Sequence, residues 1–141
     1  MSYYKYLLKL ITLAIMAYLL ANYIEIKYYN ELVRNAIVFI TISAGFYRSG
    51  LNIILKSSFI EQENTRPRGK NSLSISSISK YYQFATYLSI ISVIFLILYS
   101  GLDGNKLPSW LAQLIIPIII VNAYSSISIF NILMKCVKHN K

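Results

Sequence analysis

Four long apolar stretches, separated by segments that hold most of the charge, set the terms for anything this chain can fold into. They run from Tyr6 to Ile24, from Leu32 towards Leu55, from Tyr81 to Ser100 and from Trp110 to Met134. As an α-helix the first spans about 28 Å at roughly 1.5 Å per residue. The hydrocarbon core of a bilayer is roughly 30 Å thick. Apolar residues make up 56% of the 141 positions and charged residues only 13%, about half the usual charged share. A soluble domain of this length leaves much of its surface in water and has too little core to hide so much apolar surface. Hydrocarbon solvates it from outside. The expected architecture is all-α: a single membrane domain over residues 1–141, built as a polytopic bundle of four transmembrane helices at about 6–24, 32–55, 81–100 and 110–134.

The second stretch is the least regular. Its apolar body between Arg34 and Arg48 covers only about 21 Å as a helix. Both arginines can extend outward along their own stems and so lengthen the span. The helix is expected to pass Arg48 and continue through Leu51, Ile53, Ile54 and Leu55 along one interface, although an end near Tyr47 is the alternative. Residues 56–80 form the longest polar segment. Its centre, Arg66-Pro-Arg-Gly-Lys70, reads as a turn or loop, and the run Ser72–Ser79 as a polar entry into helix three. Gly101–Pro108 has the composition of a turn. Pro117 removes the donor for the carbonyl of Gln113, so a modest kink is expected near the start of helix four. Lys5 and Lys9 ahead of the first apolar run suggest a secretory leader. The run continues through Tyr18, Asn22 and Tyr23 without a small-x-small cleavage site, so it reads as a retained helix.

Charge gives the orientation. With the termini and residues 56–80 on one side, that side holds Lys5, Lys9, Arg48, Lys56, Arg66, Arg68, Lys70, Lys80, Lys135, Lys138 and Lys141 against Glu61 and Glu63. The other side holds Lys27, Arg34 and Lys106 against Glu25, Glu31 and Asp103, and is neutral. The whole formal charge of +9 therefore falls on one face. By the preference for cytoplasmic lysine and arginine that face is inside, which gives N-in/C-in topology in what is expected to be a bacterial inner membrane. Aromatic residues agree with this arrangement. Tyr3, Tyr4, Tyr6, Tyr47, Tyr81 and Tyr82 mark the inner boundary, and Tyr23, Tyr28, Tyr29, Tyr99 and Trp110 the outer one. The same distribution argues against a nucleic-acid partner, because the cations cap apolar runs instead of lining one soluble face.

Lipid tails are as apolar as leucine, so burial alone does not hold such helices together; small residues and interhelical hydrogen bonds do. Three small-residue stripes stand out: Ala14/Ala17/Ala21 on helix one, Thr41/Gly45/Ser49 on helix two and Ala85/Ser89/Ser92 on helix three. Helix four is the most polar span, with Asn122 midway along it, Ser126 four residues later and Ser125 and Ser128 close by. An unpaired amide in hydrocarbon is costly, so Asn122 must face another helix or a wet cavity. The expected role is a hydrogen bond between helices of the same chain. The functional alternative is a ligand, ion or partner site around Asn122, Tyr124 and Ser126. Thr41, Gly45 and Ser49 are the companion candidates for packing or partner contact.

The chemistry of the remaining residues excludes more than it suggests. All five carboxylates lie outside or at the edge of a span, where proton-coupled carriers need one within. His139, the single histidine, sits in the C-terminal tail, so there is no HExxH zinc motif and no buried histidine base. No glycine-rich phosphate loop and no GxSxG occurs. Glu61 and Glu63 read as solvated carboxylates in preference to a cation site. Cys136 has no second cysteine to pair with; it reads as a membrane-edge thiol, with reversible palmitoylation the functional alternative. No enzyme activity, cofactor or metal is expected.

The start Met1-Ser-Tyr-Tyr-Lys-Tyr6 leads directly into a helix, followed by a short outer loop around Tyr28-Tyr29, a second helix from Ala36-Ile-Val38, and a long basic cytoplasmic segment. This layout resembles the small integral membrane immunity proteins that protect bacteria from pore-forming colicins. The resemblance covers roughly the first 100 residues, and the fourth helix departs from the three-helix members of that group. It implies an inner-membrane protein that recognises a toxin's helices laterally and blocks pore opening without catalysis. Two other classes fit the same inventory: an accessory subunit docked within a larger membrane complex, and a small oligomeric carrier or flippase. The missing intramembrane carboxylate argues against the last.

Overall fold

The computed structural model describes residues 3–24, 29–56, 75–101 and 109–138, and all of the regular structure there is helical. In chain order the helices are α1 (Tyr3–Ala21), α2 (Tyr29–Lys56), α3 (Ile75–Gly101), α4 (Ser109–Gln113) and α5 (Ile115–Lys138). Four segments are long and apolar enough to cross a membrane, the fourth being α4 and α5 taken together. Residues 1–2, 25–28, 57–74, 102–108 and 139–141, and the side chains of residues 29, 55–56, 75–77 and 136–138, lie outside the described part. The expectations for the basic loop, Glu61, Glu63, Asp103, Cys136 and His139 lie there too.

Each helix boundary has a local cause. No glycine or proline interrupts α1, and its end tightens through i→i−3 bonds. The amides of Asn22, Tyr23 and Ile24 donate to the carbonyls of Leu19, Leu20 and Ala21 at 3.4, 2.9 and 3.4 Å. Helix α2 continues beyond Tyr47 to Lys56, which settles the choice between its two sequence-based ends. Helix α3 begins at Ile75, inside the serine-rich run, some two turns ahead of the expected start. Ile78 and Tyr82, four residues apart, share one helical face. Ile78 and Tyr82 are both buried there, and this packing outweighs the modest helix propensity of the serines. At Pro117 the helix is interrupted instead of gently bent. The break falls at Leu114, whose amide turns to the carbonyl of Leu111 at 3.2 Å, and the amide of Ile118 then resumes the ladder on Leu114 at 3.1 Å.

Helix α5 is the common neighbour, packed against α1, α2 and α3, while α2 and α3 form the other long contact. Three clusters fill the interior. Val33, Ala36, Ile40, Leu96 and Ile115 close the end near the α2 N-terminus. Tyr47, Ile54, Ile78, Tyr82, Ala85, Ile129 and Leu133 fill the opposite end. Tyr6, Leu10, Tyr81 and Val121 seat α1 against α3 and α5. The sequence-based reading of Tyr6, Tyr47, Tyr81 and Tyr82 as boundary markers is therefore incomplete. They lie at one level of the bundle, but their rings point inward and are almost wholly buried.

The small-residue stripes divide. Ala17, Ala21, Ala85, Ser89 and Ser92 are buried, as close helix contact requires. Thr41, Gly45 and Ser49 are exposed, and a methyl group added at Gly45 would meet nothing within 4 Å. As a packing face within the chain, that stripe is corrected. The close approach on α2 occurs instead at Gly50, where an added methyl would lie 3.3 Å from Cε1 and the hydroxyl oxygen of Tyr82. Gly50→Leu should therefore lower stability by about 1–3 kcal/mol through overpacking. Gly45→Leu, on open surface, should stay within about 0.5 kcal/mol of the parent. Thermal unfolding followed by circular dichroism separates the two; equal midpoints would show that α2 and α3 do not meet closely at Gly50.

Candidate functional site: a buried amide and hydroxyl layer

Asn122 follows the apolar run at residues 118–121 on its own helix, and its side chain is turned wholly inward at 1% exposure. Its Nδ2 group has two hydrogens, and both are used. One goes to Ser92 Oγ at 2.9 Å on α3, the other to the carbonyl of Ile118 at 2.8 Å, one turn back on α5. Its Oδ1 accepts from Ser89 Oγ at 3.2 Å. Ser89 also points its hydroxyl at the carbonyl of Ala85 at 2.9 Å. A hydroxyl carries one hydrogen, so the longer contact to Asn122 is the weaker branch of a shared bond. Ser92 donates to the carbonyl of Leu88 at 2.7 Å and so remains free to accept from Asn122.

One turn further along α5 the same logic repeats. Ser126 donates to the carbonyl of Asn122 at 2.9 Å. Its oxygen also lies 2.5 Å from the hydroxyl of Tyr47 on α2; with the serine hydrogen committed, Tyr47 is the donor. Ser125 meets the hydroxyl of Tyr6 on α1 at 2.7 Å. Two successive turns of α5 thus reach α3 through Asn122, and α1 and α2 through Ser125 and Ser126. Around them the rings interlock: Tyr6 stands edge-on to Tyr81 at a centroid distance of 4.9 Å and lies stacked on Tyr124 at 6.3 Å.

Of the six residues singled out from sequence, Asn122 and Ser126 come together as expected. Tyr124 is half-buried on another side of α5 and packs on Tyr6, away from the amide. Thr41, Gly45 and Ser49 lie on the exterior of α2. Sequence reading missed Tyr6 and Tyr47 as members of the layer, because a tyrosine at the end of a span fits the interface and the interior equally well. Their neighbours Lys5 and Arg48 held the available clue. On a helix, adjacent residues point roughly 100° apart, so beside an outward cation one neighbour can face the interior, as Tyr6 does next to Lys5 while Tyr4 on the other side stays exposed.

The layer supplies connectivity: one amide, four serine hydroxyls and two phenols, each bonded to a partner on another helix or to a main-chain carbonyl. Among the described residues no group of three or more histidine, cysteine, aspartate or glutamate side chains is placed to hold a metal ion. A separate surface cleft at the other end of the bundle is lined by Asn30, Glu31, Arg34, Ile37 and Ser100. No protein-family model, curated protein or solved structure matches the chain.

Because Ser89 and Ser92 keep main-chain acceptors without the amide, Asn122→Leu should cost only about 1–2 kcal/mol, in the range of interhelical hydrogen bonds in membranes. Combining it with Ser92→Ala should cost about 0.6 kcal/mol less than the sum of the single changes. A double-mutant cycle by denaturant unfolding in micelles measures this coupling. Strict additivity would remove Asn122 from its role between α3 and α5.

Proposed function

We propose that this chain is an integral membrane protein whose four helical segments cross a bilayer, with both termini and the basic segment on the cytoplasmic side. In this reading it acts by lateral recognition of another membrane protein and not by catalysis. The observation that carries the reading is the inverted polarity of the bundle. Leu8, Ile42, Ile91, Leu98 and Ile127 are each more than 60% exposed, while Ser89, Ser92, Asn122 and Ser125 are each below 5%. In water such a surface would drive aggregation; in hydrocarbon it is the low-energy arrangement. Orientation is supported by the exposed cations Lys5, Lys9, Arg48, Lys80 and Lys135, which cap the same end of the bundle.

The partner reading follows from what the interior leaves unused. Asn122 and Ser126 are committed to contacts within the chain. Thr41, Gly45 and Ser49 present a small-residue face on α2 with open space before it, of the kind that lets a second helix approach closely. With the layout resembling immunity proteins of pore-forming colicins, we infer a bacterial inner-membrane protein that meets the membrane-inserted helices of a pore-forming toxin on this face. An accessory subunit of a larger complex would use the same face. Stoichiometric co-purification of other subunits in mild detergent favours that alternative.

Expression of the chain should protect cells from a pore-forming toxin encoded beside it. Gly45→Leu should abolish the protection while leaving the amount of protein in the membrane unchanged. Lack of a neighbouring toxin gene, together with no protection in the killing assay, would end the immunity reading. Orientation is checked separately with reporter tags. Tags on both termini should be reachable only from the cytoplasm, and labelling of either from outside intact cells would overturn the topology.

A further inference from the structure

Three of the buried tyrosines have an exposed cation as their immediate chain neighbour: Lys5 beside Tyr6, Arg48 beside Tyr47 and Lys80 beside Tyr81. The tyrosines share one level of the bundle. Tyr6 and Tyr81 touch at 4.9 Å between centroids, and Tyr6 and Tyr47 bond to the successive serines Ser125 and Ser126. Adjacent helical residues differ by about 1.5 Å in height and about 100° in direction. The inward tyrosine layer therefore fixes an outward girdle of cations at the same height on α1, α2 and α3. Lys9 is exposed on α1 one turn above it, about 6 Å nearer the bundle centre, within reach of the girdle along its own stem.

No carboxylate among the residues the structure describes lies beside this girdle. Among the described residues the sole carboxylate is Glu31, about 24 Å along α2 from Tyr47 at the helical rise. Above the girdle the exposed surface is largely apolar, with Leu8 on α1, Phe46 and Ile42 on α2 and Tyr87 and Ile90 on α3, interrupted by Thr41 and Gln83. A ligand matching both features carries an anionic head at the girdle and a hydrocarbon tail along the helices. A soluble acidic peptide or a nucleic acid offers the first without the second. We propose that Lys5, Arg48 and Lys80, assisted by Lys9, bind the phosphates of anionic phospholipids and give the chain a preference for an anionic leaflet around the tyrosine layer. The inference rests on the membrane reading above, and goes beyond it in naming a lipid class and the residues that select it.

The test uses the full chain reconstituted in nanodiscs of phosphatidylcholine alone or with phosphatidylglycerol at equal parts, with unfolding followed by near-ultraviolet circular dichroism. Phosphatidylglycerol should raise the midpoint by roughly 5 °C, as expected for a ligand present well above its dissociation constant. The variant K5Q/K9Q/R48Q/K80Q should match the parent in phosphatidylcholine and lose most of that rise. A second variant, R34Q, changes an exposed cation at the opposite end of α2 and should keep the rise. Inorganic phosphate at millimolar concentration should have no effect. Equal midpoints in the two lipids overturn the proposal, as does a rise that survives in the first variant or disappears in the second. Should the girdle variant fail to fold, native mass spectrometry of the three single variants K5Q, R48Q and K80Q replaces it. Undiminished retention of phosphatidylglycerol in all three then overturns the proposal. Failure of the membrane reading looks different: the chain would stay in the aqueous fraction when vesicles are floated.

Discussion

An amide in the middle of an apolar helix has to be answered by other side chains, and at Asn122 the answer organises much of the bundle. Its two donors and one acceptor are met by Ser92, Ser89 and the main chain of its own helix. That requirement fixes the rotation of α5 about its axis. With Asn122 turned towards α3, Ser125 and Ser126 one turn later face α1 and α2. The small stripe Ala85/Ser89/Ser92 then follows from the same need, since only short side chains let α3 come close enough to complete the bonds.

Apolar packing fills the space that this arrangement leaves. It is dense where tyrosines and isoleucines meet, but in the proposed bilayer it gains little over contact with lipid. The directional contacts therefore carry the specificity. The layer has fallback bonds, because three of its four serine hydroxyls, those of Ser89, Ser92 and Ser126, have a main-chain acceptor within their own helix. A network with such fallback bonds is expected to be weakly coupled pair by pair and yet to select one rotational setting for each helix.

The number of helices, their approximate ends and the burial of Asn122 were legible in the sequence, because long apolar runs and an isolated amide each admit few solutions. The early start of α3 was less visible. Serine-rich composition suggested no more than a polar entry, while the deciding signal was the spacing of Ile78 and Tyr82, four residues apart on one face. Pro117 indicated the site of the disturbance in the fourth span, but not that the helix would break at Leu114. The face of α2 was misread for packing inside the chain. A small-residue stripe shows that close approach is sterically allowed, and says nothing about whether a partner belongs to the same chain. Gly50, which does make the close contact, lacked a companion four residues away to draw attention to it.

Helix α1 finds its main neighbour in α5, so the chain's first long segment is lodged by its last. The bond between Tyr6 and Ser125 joins positions 119 residues apart. During synthesis α1 precedes α5, so its main docking site appears only after α2 and α3 have both been made and can pair with each other. The contact that seats α1 is therefore the one of longest sequence separation among the bonds joining the helices, and its formation depends on α5 being in place.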